Sequence, residues 1–380
     1  MFPKLGVVGV CRNQTISMRI GIDAKPLTTP FSCGVKSYAE NLLTNLAKID
    51  KKNEYIIFAT KKIKIPIQRN FKLVKMPNFL PVFRRQFSIP YFVNREKVDI
   101  FHNLEPFGSI FLNSTKIVTT VHDVNLDATY PLLSRYFLSR LYCEFSRKGI
   151  FRKSSTFITN TETIKEELVN ILKKNTNSQI ETIYIGYDRN YFRLKSYKTR
   201  KGILCMGDFA ARKNTSSVIE AYSSLPSQVK NAHSLRIVAS TKAAGINFLN
   251  IVKKYNVEKF TKVFVAVSNS QLAKLYNDSL LFVHPSLYEG FGIPILEAMA
   301  CGCPVITSNY GAMREISGDS ALLVNPRSKK SIADGILRIC EDKKFRLDLS
   351  KKGLQRVKEF NWLHTAEKTL KLYERLFLKK

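Results

Sequence analysis

Two glutamates, Glu289 and Glu297, bracket a glycine-rich bend in residues 284–308, HPSLYEGFGIPILEAMACGCPVITS. LLFVHPS reads as a strand, LYEGFGI as the loop leaving its carboxyl end, and Pro294 as a first helical position. Gly290 and Gly292 allow close backbone approach and unusual dihedrals. The amides that open the next helix, with its dipole, favour an anion. A carboxylate beside such a site repels phosphate. The two glutamates are therefore read as acceptors of hydrogen bonds from neutral hydroxyls. A ligand with both a diphosphate and sugar hydroxyls meets both needs. Taken singly, Glu297 reads as a helix-surface acid and Glu289 as a loop acid.

A second loop, CMGDFAARKNTSSVIEAYSSL at 205–225, places Arg212 and Lys213 after a strand and just before a helix. Asn214 or Thr215 would cap that helix. Two cations on the lip of a helix N-terminus make a diphosphate site. In the first half, TTVHDVNLDATYP puts His122 and Asp123 at the end of a strand. A structural histidine and a catalytic one are both open readings there. Gly34 lies near a helix start in SCGVKSYAENLLTNLAK, but the G-x-G-x-x-G dinucleotide fingerprint and the Walker A spacing are both absent.

These loops need strands to carry them. Apolar runs separated by helical stretches recur along the chain: RIGIDA, YIIFAT, VDIFHN, KIVTTVHD and TFITN, then GILCMG, LRIVAS, KVFVAV, LLFVHPS and PVITS. Strands buried on both faces look continuous rather than alternating, so two doubly wound parallel sheets are expected. The length of 380 residues suits two α/β domains. We divide the chain into an extension at 1–17, a first domain at 18–190, a polar basic linker at 191–201, and a second domain at 202–360. Leu363, Ala366, Leu370, Tyr373 and Phe377 form one stripe of a terminal helix.

The formal net charge of +31 calls for an anionic partner. The excess is spread over both halves, but residues 61–97 hold ten Lys or Arg against one acid, Glu96. No run of about 18 uncharged apolar residues occurs. The seven cysteines show no metal spacing and fit a reduced, cytoplasmic setting. Zinc-finger, RNP-like and helix-turn-helix signatures are absent, so no nucleic acid is expected as partner. A basic nucleic-acid-binding protein and a nucleotide-sugar-binding protein without turnover remain the alternatives to an enzyme.

The segment from His284 to Pro326 closely resembles the donor-site segment of retaining glycosyltransferases of family four, which have the GT-B fold. The resemblance extends through IGIDAKPL, CGVKSYAENLL, VHD, GDFAARKN and the terminal helix bearing Trp362. It implies two Rossmann-like domains facing a central cleft, with the helix at 361–380 crossing back to the first domain. By the same resemblance, Glu289 faces the transferred sugar and Glu297 accepts from ribose hydroxyls. Arg212 and Lys213 neutralise the diphosphate, and the backbone at Gly290, Phe291 and Gly292 contacts donor sugar and phosphates. His122 stands near the reacting sugar, and Gly34 belongs to an acceptor or phosphate loop. Asp208 occupies a position where many members carry arginine; the subgroup with an adjacent Arg-Lys-Asn triplet, here at 212–214, fits better, which implies phosphate neutralisation by Arg212 and Lys213.

The implied reaction is transfer of a hexosyl group from a nucleoside diphosphate sugar to a glycan or lipid-linked acceptor, with retention of configuration. GDP-mannose is the favoured donor, as substrate; no cofactor is expected. No metal is expected either, since no Asp-x-Asp pair lies near the donor loops. Residues 61–97 and 135–153 combine Lys and Arg with Phe, Leu and Tyr, which fits peripheral contact with an anionic membrane on its inner face.

Overall fold

A computed structural model describes residues 17–28, 34–63, 68–112, 115–125, 137–172, 178–195, 200–208 and 211–379. The extension at 1–16 lies outside the described residues.

Two parallel sheets organise the chain. The first holds β1 (Arg19–Asp23), β2 (Glu54–Ala59), β3 (Phe71–Lys75), β4 (Ile100–Asn103), β5 (Lys116–Val121), β6 (Thr156–Thr159) and β7 (Gln179–Thr182). Its order is β3-β2-β1-β4-β5-β6-β7. The second holds β8 (Ile203–Gly207), β9 (Leu235–Ala239), β10 (Thr261–Val265), β11 (Leu281–His284), β12 (Val305–Ser308) and β13 (Leu322–Val324). Its order is β10-β9-β8-β11-β12-β13. Every pairing in both sheets is parallel. The expected doubly wound pair of sheets is present, and all ten apolar runs are strands. In both sheets the strand order reverses beside a central strand, β1 or β8, and such switch points open a crevice beyond the carboxyl ends.

The inner strands are apolar on both sides because helices cover both faces. Ile20, Ile22, Tyr55, Ile57, Ile100 and Ile158 are buried in the first domain, and Ile203, Cys205, Ile237, Phe282 and Val283 in the second. The terminal helix Trp362–Leu378 lies on the first domain. Tyr373 Oη bonds His102 Nδ1 at 2.6 Å, and Lys116 Nζ donates to the Leu376 carbonyl at 2.6 Å. Its buried face differs from the expected stripe. Trp362, Thr365, Ala366, Thr369, Leu372, Tyr373 and Leu376 are buried, whereas Leu363 is exposed. Two threonines serve in that face because their hydroxyls bond carbonyls of the preceding turn, Thr369 to Thr365 at 2.7 Å and Thr365 to Asn361 at 3.1 Å.

Two basic residues also depart from expectation. Arg84 and Arg85, counted within the cationic stretch 61–97, point inward from the π-helical turn Arg84–Ser88 and add nothing to the surface.

Candidate active site

The loop after β11 and the turn after β8 meet beyond the carboxyl ends of their strands. The turn Ala211–Lys213 precedes the helix Thr215–Ser223. Asn214 takes the cap position with φ of 57°, yet its side chain caps nothing. Its amide donates to the carbonyls of Pro285, at 3.1 Å, and Pro326, at 2.7 Å. The expected cap is therefore a clamp that fixes the β11 loop. Leu287 N adds to it by donating to the Arg212 carbonyl at 2.7 Å.

Through that clamp Arg212, Lys213 and Glu289 come into direct contact. Arg212 Nη1 donates to Glu289 Oε2 at 2.9 Å and to the Tyr288 carbonyl at 3.3 Å. Lys213 Nζ donates to Glu289 Oε1. Ser286 Oγ reaches the same oxygen at 3.3 Å, and His284 Nε2 lies 3.5 Å from it. Burial alone would raise the Glu289 carboxyl, but Lys213, the His284 hydrogen bond and Arg212 together hold it well below the usual range. The three groups carry two positive charges and one negative. A buried unpaired polar atom, Arg212 Nε, accompanies them.

Glu297 belongs to the next helix, Ile293–Ala300. Its Oε2 accepts from Tyr276 Oη at 3.3 Å. Burial pushes its carboxyl up to about 7, against a smaller opposing pull from Tyr276 and a further push from Asp188. Lys213 is near enough for its charge to be felt there.

The glycines of the bend have separate reasons to be glycine. Gly292 precedes the helix with φ of 103°, and a Cβ there would stand 2.6 Å from Met313 Cε. Gly290 lies against the first domain, where a Cβ would overlap the His122 carbonyl oxygen. Phe291 turns its ring into the core, edge-on to Phe360 at 5.9 Å, so only its backbone can serve a ligand.

His122 follows β5. Its Nε2 lies 3.1 Å from the Leu104 carbonyl, which can only accept, so the proton is on Nε2 and Nδ1 is left as an acceptor. Burial lowers its pKa to about 4, against the pull of the Leu104 hydrogen bond and Glu105, and the ring is neutral at pH 7. Tyr38 packs edge-on to it at 4.6 Å, and Trp362 packs on Tyr38 at 6.0 Å. Gly34 opens the helix Gly34–Ile49, and a Cβ there would meet nothing within 4 Å. Residues 29–33, the rest of its loop, lie outside the described residues.

Several residues that frame the cleft give no signal in the sequence. Glu315, from the helix Gly311–Ser317, accepts from Glu162 N at 2.7 Å, Thr163 N at 2.8 Å, Thr163 Oγ1 at 2.6 Å and Tyr184 Oη at 3.0 Å. Tyr288 Oη donates to Glu167 at 2.9 Å, and Thr161 Oγ1 to the Gly290 carbonyl at 3.2 Å. Each bond joins the two domains. Among the described residues, no three His, Cys, Asp or Glu side chains gather as a metal cluster.

Two Rossmann-like sheets with their loops facing one cleft define a GT-B fold. Residues 187–356 match the family described as glycosyl transferases group 1, and residues 33–191 match glycosyltransferase family 4. The chain belongs to this family of glycosyltransferases. It is 32% identical over 173 residues to the O-antigen chain mannosyltransferase B of Escherichia coli, covering 46% of this chain and 45% of that one. The chain spans between 30% and 45% of the length of the first curated relatives it matches. Sucrose-phosphate synthase from Thermosynechococcus elongatus superposes with a TM-score of 0.77 at 20% identity, covering 96% of this chain and 100% of that one. Anabaena HepE in complex with UDP-glucose superposes with a TM-score of 0.72 at 14% identity, covering 94% and 100%.

Proposed function

We propose that this protein transfers a hexosyl group, mannosyl by preference, from a nucleoside diphosphate sugar to a glycan or lipid-linked acceptor, in polysaccharide or cell-envelope glycan synthesis. The observation that carries this reading is the contact of Arg212 and Lys213 with Glu289 on the loop beyond β11. Two fixed cations with a net positive charge suit a diphosphate, and the carboxylate beside them suits sugar hydroxyls. The mannosyltransferase relative favours mannose, and with it GDP-mannose as donor. HepE with UDP-glucose supports a nucleotide sugar in the same fold.

In this reading the C1–oxygen bond to the diphosphate breaks, and charge builds on the leaving phosphate. Lys213 and Arg212 stabilise it without reorganising, which is worth on the order of 3 kcal/mol per lost donor. They supply positive charge that a metal would otherwise bring. The acceptor oxygen bonds C1 from the face the diphosphate leaves, and its proton passes to a phosphate oxygen. That course retains configuration. Gly290 brings the donor loop against His122, whose Nδ1 accepts from a sugar hydroxyl. Glu297 accepts from the ribose hydroxyls.

The first domain also carries a surface suited to an anionic bilayer. Phe83 and Phe87 lie 5.8 Å apart and Phe87 stacks on Phe111 at 5.8 Å, all three exposed. Exposed Lys72, Lys75, Arg95 and Lys97 belong to the same stretch of chain. Aromatic anchors with lysine and arginine give reversible, salt-sensitive attachment, here to the inner face of the cytoplasmic membrane. Among the described residues, no helix is long and apolar enough to cross a membrane.

A thermal-shift screen of nucleotide sugars tests the activity. A true donor at about 100 times its dissociation constant stabilises by about 2.7 kcal/mol. NMR of the product from an α-linked donor should then show an α-linkage. A β-linked product would contradict retention, and a screen without any stabilising nucleotide sugar would contradict the whole reading.

A further inference from the structure

The π-helical turn Arg84–Ser88 sends two adjacent arginines inward, Arg84 at 4% and Arg85 at 5% exposure. A guanidinium is rarely buried so fully unless matched. Arg84 is matched: Nη1 and Nη2 donate to the two oxygens of Asp23 at 2.9 and 3.0 Å. Arg85 differs. Its nearest carboxylate, Glu105, stands 3.7 Å from Nη2, and Glu105 is shared with Lys25 at 3.4 Å. Arg85 Nε is buried and has no hydrogen-bond partner. Asn103, two residues before Glu105 and 1% exposed, has no partner for either side-chain atom.

One carboxylate therefore answers two cations, and the surplus positive charge sits where solvent screens it poorly. Asp23 and Asn103 end β1 and β4, so the cluster lies beyond the carboxyl ends of those strands, where ligands bind in such sheets. Glu105 follows Leu104, whose carbonyl accepts a hydrogen bond from His122 Nε2, so the cluster adjoins the same cleft. Lys25, with 31% of its side chain open, gives a way in.

We propose that Lys25 and Arg85 bind a phosphate ester of the acceptor, beside the hydroxyl that receives the sugar. The word acceptor rests on the glycosyl-transfer reading above; the phosphate site itself does not. A singly charged phosphate diester closes the charge balance left by Lys25, Arg85 and Glu105. Arg85 Nε supplies a donor already oriented by its burial, and Lys25 supplies the movable one.

Hydrogen–deuterium exchange on the full chain tests this with two singly charged diester probes, soluble glycerophosphoglycerol and vesicles containing phosphatidylglycerol. Slower exchange at 84–88 and 103–108 is expected. Slowing with glycerophosphoglycerol assigns the site to a soluble phosphorylated acceptor, and slowing confined to the vesicles assigns it to a lipid-borne one. Lys25→Met, at a side chain 31% open, should weaken the effective probe by about tenfold or more, as should Arg85→Gln. Protection confined to the loops at 211–213 and 286–292, or undiminished protection in Lys25→Met, would overturn the proposal. Failure of every nucleotide sugar to raise the melting temperature of the wild-type protein would instead sink the glycosyl-transfer reading and leave the phosphate footprint readable.

Discussion

Glu315 binds Thr163 through both the backbone amide, at 2.8 Å, and the hydroxyl, at 2.6 Å. The two residues belong to different domains. Glu315 thus accepts the first two amides of the helix Glu162–Leu172, Glu162 N and Thr163 N, while Thr161 Oγ1 caps the third, Ile164 N, at 3.2 Å. A capping interaction of about 1 kcal/mol, strengthened by the helix dipole, is here a term in domain closure.

Replacing it should loosen the pair of domains while leaving each one folded. Glu315→Ala is expected to enlarge the radius of gyration measured by small-angle scattering and to lower turnover by about tenfold, through loss of the closed geometry that orients the reactants.

Gly290→Ala acts on the same interface, again from the second domain. The added methyl group overlaps the His122 carbonyl oxygen. A backbone carbonyl held in the loop after β5 cannot give way as a flexible side-chain tip would. Turnover should fall by about a hundredfold, with a melting temperature little changed, read by steady-state assay and calorimetry.

Glu297 governs the pH dependence. Burial raises its carboxyl from an ordinary 4.5 to about 7 in the folded chain. The folded state therefore holds the proton more tightly than the unfolded one. This contribution to stability is fully present below about 4.5 and is lost as pH rises through about 7. Glu297→Gln should flatten that part of the melting-temperature profile. Donor affinity should run the opposite way in the wild type, rising through pH 7 as the carboxylate that accepts from ribose hydroxyls forms. His122, already neutral above about 4, should leave no mark on either profile between pH 5 and 8.

Phe83→Ser with Phe87→Ser should weaken flotation with anionic vesicles, since two exposed rings leave the surface. High salt should weaken wild-type flotation as well. Equal binding to neutral vesicles at low and high salt would contradict an electrostatic membrane surface.

The inner strands were legible because burial on both faces demands unbroken apolar runs such as YIIFA and LFVH. Three edge strands were not. β3 reads FKLVK with only Val74 buried, β7 reads QIET with none, and β13 is three residues long. An edge strand needs little apolar surface, so composition does not announce it. The fourth edge, β10, is legible because Val263, Phe264 and Val265 give it an apolar run. The donor loops were legible because glycines, acids and cations cluster there within a few residues. Glu315 was not, since its partner Thr163 lies 152 residues away and an isolated glutamate in a helix looks like surface. Arg84 and Arg85 misled for a related reason. Charge in a sequence reads as exposure, and only the π-helical turn directs these two inward.

Calorimetric titration of a nucleotide sugar into wild-type protein and Lys213→Ala tests the central claim, that Arg212 and Lys213 hold the donor diphosphate. One site should bind in the wild type, with affinity in the variant about tenfold to a hundredfold lower. Equal affinity in the two proteins would contradict it.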